Sequence, residues 1–332
     1  MSAGGFNPTG FLLDYSPGGS QSSACLQRRQ MVHVYYSPAY VGSGYAFDTT
    51  RKAQWIAESL SASGIAGIKL VEPAPLTRDQ LIKVHDADYV RAIETGAPRD
   101  LADSQGFTWD AGLWPMVLSS NGGVVAAARF ALERGVAGSL SSGLHHARYR
   151  KGLGFCTFNG LVIAACEAIS AAAKSVLVLD LDAHCGGGTA SLIAKDERLW
   201  QIDVSVSPYD AYPTSDRLRL DVVEDADDYL PTIERRLSEA DRLGLDFDLC
   251  LYNAGMDPFE DCSIGGKAGI TREVLAQRER LVFEWCSRRR LPIAFVIAGG
   301  YVSRRLDQQA LVELHRLTLT QAAKISAFNC DA

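Results

Sequence analysis

Four runs in the second half of the chain restrict its fold more than any other feature: SVLVLDLDAH (175–184), WQIDVSV (200–206), FDLCLYNAG (247–255) and PIAFVIAGGYV (292–302). Each is rich in Val, Ile and Leu with little polar alternation, the pattern of strands covered on both faces. FNGLVIAACEAISAAAK and DYLPTIERRLSEADRLG, which separate them, are long enough for the crossover connections that parallel strands require. The same alternation begins at Met31, with MVHVYYS, the amphipathic TRKAQWIAESLSASG, IKLVEP and TRDQLIKVHDADYVRAIETG. It predicts an α/β domain built on a parallel sheet with helical cover.

No repeat or linker interrupts residues 31–332, which therefore read as one domain, and 332 residues at 47% apolar content can bury a large core. Residues 1–30 are rich in Gly, Ser and Pro without a sustained period and read as a flexible tail, with Phe6 and Phe11-Leu12-Leu13 as local docking candidates. A net charge of −6 gives no basic field for a nucleic-acid backbone. The eight cysteines are scattered singly without a CxxC pair, as in a reduced intracellular protein. No apolar run approaches the roughly 18 residues of a membrane span, so a soluble, cytoplasmic protein is expected.

Open parallel sheets bind ligands outside the carboxyl ends of their strands, so the polar residues at which each run stops are the candidates for chemistry. The first run stops in Asp180-Leu181-Asp182-Ala183-His184, three polar residues at alternate positions, which an extended chain sends to one side. FDLCLYNAG runs into Met256-Asp257 and adds a carboxylate from a second strand. Two aspartates and a histidine can hold zinc with a coordination position left open for water or substrate. A third run stops at Gly299-Gly300-Tyr301, where the glycines permit a tight turn and the phenol can donate to a developing oxyanion. Ser142-Gly143-Leu144-His145-His146 offers two imidazoles for proton transfer just before the Gly-rich Lys151–Phe155. Each element alone has an ordinary reading: DxD follows strands in many nucleotide and sugar enzymes, a His-His pair is usually structural, and GGY is a turn. Their combination and order are far more specific.

LHHAR (144–148), GFCTFN (154–159), DLDAH (180–184), NAGMD (253–257) and GGY (299–301) together resemble the histone deacetylase superfamily, from about Met31 to about His315. YAFDTTRKAQW (45–55), DLDAH and YNAGMD look most like its class IV branch and related bacterial deacetylase-like proteins. The resemblance implies an arginase–deacetylase fold, a three-layer α/β/α sandwich with a central sheet of about eight mostly parallel strands, and a narrow tunnel leading to zinc. By that likeness Asp182, His184 and Asp257 are the zinc ligands and Asp180 orients His145. His146 is general base and later acid, Tyr301 polarises the acyl carbonyl, and Gly154, Phe155 and Tyr212 line the tunnel. It also implies a potassium ion held by Asp180 and by carbonyls of Asp182, His184, Ser205 and Val206.

Three departures stand out. The family usually reads His-Gly-Asp-Gly after the zinc histidine, where this chain has Cys185-Gly186-Gly187-Gly188, so the carboxylate expected behind His146 is missing at Gly187. That loss removes an orienting partner and lowers the imidazole pKa unless another group substitutes. Gly160 stands where an aspartate often follows the asparagine, and Glu260-Asp261-Cys262 where Gly-Asp-Arg is usual.

The expected activity is zinc-dependent hydrolysis of an N-acyl amide, with acetyl- or longer acyl-lysine as substrate and acetylpolyamines or small metabolites as alternatives. A two-metal, arginase-like site needs a carboxylate where Gly186 stands. A weakly active or non-catalytic zinc-containing acyl-lysine receptor is the rival from another class, motivated by Gly187. Asp86, Asp88 and Asp210 read as structural or solvated loop charges, and His33, His85 and His315 as ordinary residues. Nothing in the sequence sets the oligomeric state.

Overall fold

Strands form wherever the apolar runs lie, and in a computed structural model, which describes residues 31–43 and 48–328, eight of them make one sheet. The expected tail over residues 1–30 falls outside the described residues. In chain order the strands are β1 (Val32–Tyr35), β2 (Ile68–Val71), β3 (Val136–Ser139), β4 (Val176–Asp180), β5 (Leu199–Ser205), β6 (Leu218–Val222), β7 (Leu249–Gly255) and β8 (Ile293–Ala298). β3 and β6 are the two without a sequence signal: VAGS has no apolar run, and LRLDV alternates into charge.

The helices are α1 (Asp48–Ala62), α2 (Arg78–Ile82), α3 (Ala87–Thr95), α4 (Arg99–Ala102), α5 (Leu113–Arg134), α6 (Gly160–Ser170), α7 (Gly187–Ile193), α8 (Tyr229–Arg242), α9 (Arg272–Arg288) and α10 (Gln308–Phe328). Successive strand residues face opposite sides of a sheet, and the core divides accordingly. Leu177, Leu179, Cys250, Tyr252, Phe295 and Ile297 pack under α1, α8, α9 and α10. Val176, Val178, Leu249, Leu251, Ala294 and Val296 pack under α3, α5, α6 and α7. This is the expected three-layer sandwich.

Every strand pair is parallel, in the order β2-β1-β3-β8-β7-β4-β5-β6. The chain leaves a gap between β3 and β4, completes the edge through β5 and β6, and returns to fill the gap with β7 and β8. As a result β3, β8, β7 and β4, which carry the His-His, GGY, Met-Asp and DxDxH segments, are consecutive neighbours across about 14 Å of sheet. Residues more than 100 positions apart meet at one edge because parallel strands present all their carboxyl ends there. Among the described residues no helix is long and apolar enough to cross a membrane.

Candidate active site

The DxDxH segment starts on the last residue of β4 and bends at Asp182 and Ala183 as it leaves the sheet, until His184 bridges to Ser207. Asp182, His184 and Asp257 bring their ligand atoms within 4.8 Å of one another. His184 Nδ1 lies 3.2 Å from Asp182 Oδ1 and 3.2 Å from Asp257 Oδ2. Asp257 Oδ1 accepts from the Ala183 amide at 3.0 Å, whereas its buried Oδ2 accepts no hydrogen bond among the described residues. An orphaned carboxylate oxygen beside a second carboxylate and an imidazole fits a cation such as zinc. Gly299, with φ of 50°, borders this group, and a Cβ there would overlap the Asp257 carboxylate.

His145 and His146 follow β3 through a turn in which Leu144 has φ of 57°. His145 Nδ1 donates to Asp180 Oδ2 at 2.7 Å, and Asn253 Nδ2 fixes the other Asp180 oxygen at 2.8 Å. Asn253 is the register partner of Asp180 across β4 and β7. Asn159 caps α6, accepting from the Val162 amide at 3.0 Å, and its own amide holds the His145 carbonyl at 3.3 Å and Thr189 at 3.0 Å. Burial lowers the His145 pKa, but Asp180 and Asp182 outweigh it and push it up to about 10. His146 moves the other way, down to about 4, through burial first and then the charge of His145, with Asp210 opposing. His146 is thereby neutral near pH 7.

The carboxylate missing at Gly187 is replaced in space. Asp210 Oδ2 accepts from His146 Nδ1 at 2.9 Å. Of the two readings expected for Asp210, structural or solvated, the solvated one is corrected, since its side chain is 3% exposed. Asp86, by contrast, caps α3, and Asp88 is exposed. No local pattern pointed to Asp210, which lies beyond β5 and 26 positions after His184. Only the unfilled place at Gly187 hinted that some other carboxylate was wanted.

A pocket of about 640 Å³ opens over the site, lined by Ser104, Gln105, Gly106, His146, Leu153, Gly154, Phe155, His184, Ser207, Tyr209, Ile264 and Tyr301. Gly154 and Phe155 therefore lie on its wall, both at positive φ. Tyr212 does not line it: that ring packs on the α5–α6 side of the core with its hydroxyl 3.5 Å from the Arg219 carbonyl. Tyr209, three residues earlier, takes the wall position, edge-on to His146 (5.1 Å between ring centres) and His184 (5.8 Å). Tyr301 is half-buried at the rim. The Tyr301 amide donates to Cys262 Sγ at 3.1 Å, and Ser303 Oγ donates to the Asp261 carbonyl at 2.7 Å. The divergent Glu260-Asp261-Cys262 segment thus fastens the tyrosine turn.

Lys52 of α1, fully buried, donates to the Gly299 carbonyl beneath the same turn. Asp203 is buried beside Asp180, its register partner, with its carboxyl held well above the usual range by burial and by Asp180. Ser205 Oγ donates to Asp203 at 2.5 Å, and the Val206 amide donates to the Ala183 carbonyl.

Residues 46–317 match the family described as histone deacetylase domain. An uncharacterised protein of Picosynechococcus is 34% identical over 261 residues, covering 77% of this chain and 85% of that protein. Histone deacetylase 2 of Arabidopsis thaliana is 26% identical over 315 residues, covering 87% of this chain and 80% of that one. A crystal structure of acetylpolyamine aminohydrolase from Burkholderia pseudomallei shares the fold with a TM-score of 0.72 at 19% identity, over 89% of this chain and 99% of that one. With the family match running from before α1 into α10, across all the strands that carry the site, the chain belongs to the histone deacetylase family, whose members hydrolyse acetylated substrates.

Proposed function

We propose that the protein is a zinc-dependent deacylase that hydrolyses the amide of an acyl-lysine side chain. The observation that carries this reading is the opening of His146, His184 and Tyr301 into one pocket, with Asp182 and Asp257 at ligand distance behind them. Asp182, His184 and Asp257 would hold the ion. Zinc, when bound, supplies Lewis acidity at the acyl carbonyl and lowers the pKa of water.

The chain's own groups supply the rest. With Nδ1 engaged by Asp210, His146 has Nε2 left to take a proton from the attacking water and return it to the leaving amine. The Tyr301 phenol donates to the oxyanion formed at the carbonyl carbon, and its pKa, raised by burial and by Asp257, keeps that proton in place. Asp180 holds His145 in one orientation, with the charge of the imidazolium balanced beside it.

Among the described residues the pocket lining contains no Asp, Glu, Lys or Arg, which favours a neutral acyl-lysine stem over a polycationic acylated polyamine. The receptor alternative loses its motive once His146 has a carboxylate partner. We also propose potassium beside Asp180, with carbonyls of Asp182, His184, Ser205 and Val206, because the Asp180 and Asp203 carboxyls are buried side by side and a cation there would relieve the repulsion that holds the Asp203 carboxyl above its usual range. The free thiols at the six described cysteines support a reducing, cytoplasmic location.

The test is product release from lysine peptides carrying acetyl through myristoyl groups and from acetylpolyamines, with metal content measured. Zinc-dependent turnover of the peptides, lost in Tyr301→Phe, is expected. One bound zinc without turnover of any substrate would refute the enzyme reading, and preference for polyamines would refute the substrate assignment.

A further inference from the structure

Gly187 and Asp210 occupy the same small volume. A Cβ built at 187 would overlap the Asp210 carbonyl oxygen and come within 2.8 Å of its carboxyl carbon. The loop carrying Asp210 is pinned there from several sides. His184 and Ser207 form a parallel bridge, the Cys185 amide donates to the Tyr209 carbonyl at 3.0 Å, and the Gly188 amide donates to Asp210 Oδ2 at 3.1 Å. Arg148, two residues after His146, pairs with Asp210 Oδ1 and donates to the Gly187 carbonyl at 3.1 Å. Asp210 itself sits at φ of 61°, a left-handed conformation that Asp tolerates better than most residues.

These contacts leave Asp210 Oδ2 with two donors, the Gly188 amide and His146 Nδ1. A carboxylate fully removed from water and satisfied by an imidazole fixes both the tautomer and the orientation of that imidazole. We infer that Asp210 is the positioning residue for His146, supplied by the loop after β5 in place of a carboxylate at position 187, and that glycine at 187 is what admits it. Asp210 touches no substrate in this arrangement and acts through His146. The inference rests on the proton-carrying role proposed for His146 and names the partner that role requires.

The experiment is a double-mutant cycle on the zinc-loaded full chain, using acetyl-lysine peptide and comparing wild type, Asp210→Asn, His146→Ala and the double variant. Asp210→Asn, close in shape, is expected to lower kcat about 10- to 100-fold, with KM and zinc stoichiometry changed less than twofold. Introduced into His146→Ala, the same change is expected to cost less than twofold, because nothing remains for Asp210 to position. A purely structural Asp210 would cost the same factor in both backgrounds, and that result would overturn the inference. Full activity of Asp210→Asn beside an inactive His146→Ala would also overturn it while leaving the proposed function intact. Full activity of His146→Ala would instead sink the proton-carrying role itself. Gly187→Ala provides a variant that keeps the carboxylate: it is expected to lose kcat by displacing the 210 backbone, and wild-type turnover there would refute the exclusion of a side chain at 187.

Discussion

A single buried histidine, His85, makes the stability of the folded protein depend on pH. Its ring is fully buried between Tyr89 and Phe158, with Nδ1 3.0 Å from the Arg148 carbonyl and Nε2 3.0 Å from the Asn159 amide. Nε2 accepts from an N–H, so Nδ1 carries the single proton and a second has no place to go. Burial accordingly lowers its pKa from 6.5 to about 4, against the raising effect of the Arg148 carbonyl. Between these two values the unfolded chain binds the extra proton and the folded chain does not. Stability from the neutral ring is therefore fully present above about pH 6.5 and is lost as pH falls toward 4. At about 1.4 kcal/mol per pH unit the whole interval is worth about 3 kcal/mol, of which about 2 kcal/mol falls between about pH 7 and 4.5. Urea unfolding of wild type and His85→Gln across that range isolates the effect, since every other titrating group is common to both. The wild-type advantage should shrink by about 2 kcal/mol as pH falls. Parallel stability curves would refute the reasoning.

Tyr301→Phe should lower kcat about 10²-fold with zinc content unchanged, as expected for the loss of one oxyanion donor. An equal loss of bound zinc would assign the residue to the metal instead. Arg278, wholly buried, donates to the carbonyls of Leu181 and Gly255, beside the two ligand-bearing segments, and pairs with Glu279 at 2.6 Å. Arg278→Met should cost about 3–5 kcal/mol in urea unfolding, because it leaves a buried carboxylate unpaired, and a cost below about 1 kcal/mol would show that the network contributes little. Gly138→Ala places a Cβ into the Phe295 ring across β3 and β8. It should cost about 1–3 kcal/mol by overpacking, read as a lowered melting temperature, and an unchanged one would mean the ring moves freely.

The order and spacing of the segments made much of this protein legible before any coordinates. Apolar runs such as VLVLD and FVIA must be buried on both faces, and a chain that alternates them with amphipathic helices has few ways to do so other than a covered parallel sheet. Polar residues at the ends of such runs then share one edge, which is why Asp182, His184 and Asp257 could be grouped although 75 positions separate Asp182 from Asp257. β3, too short and too small in its side chains to carry a pattern, emerged only from its pairing with β1 and β8. The Tyr209 wall position likewise depended on where a loop with a left-handed Asp210 turns, one residue's conformation deciding which ring faces the pocket. Asp210 is the clearest division between the two levels. Periodicity and spacing report what neighbours along the chain do, so the sequence determined that position 187 has no side chain. Only tertiary packing, which brings the loop after β5 against α7, decided which carboxylate fills that space.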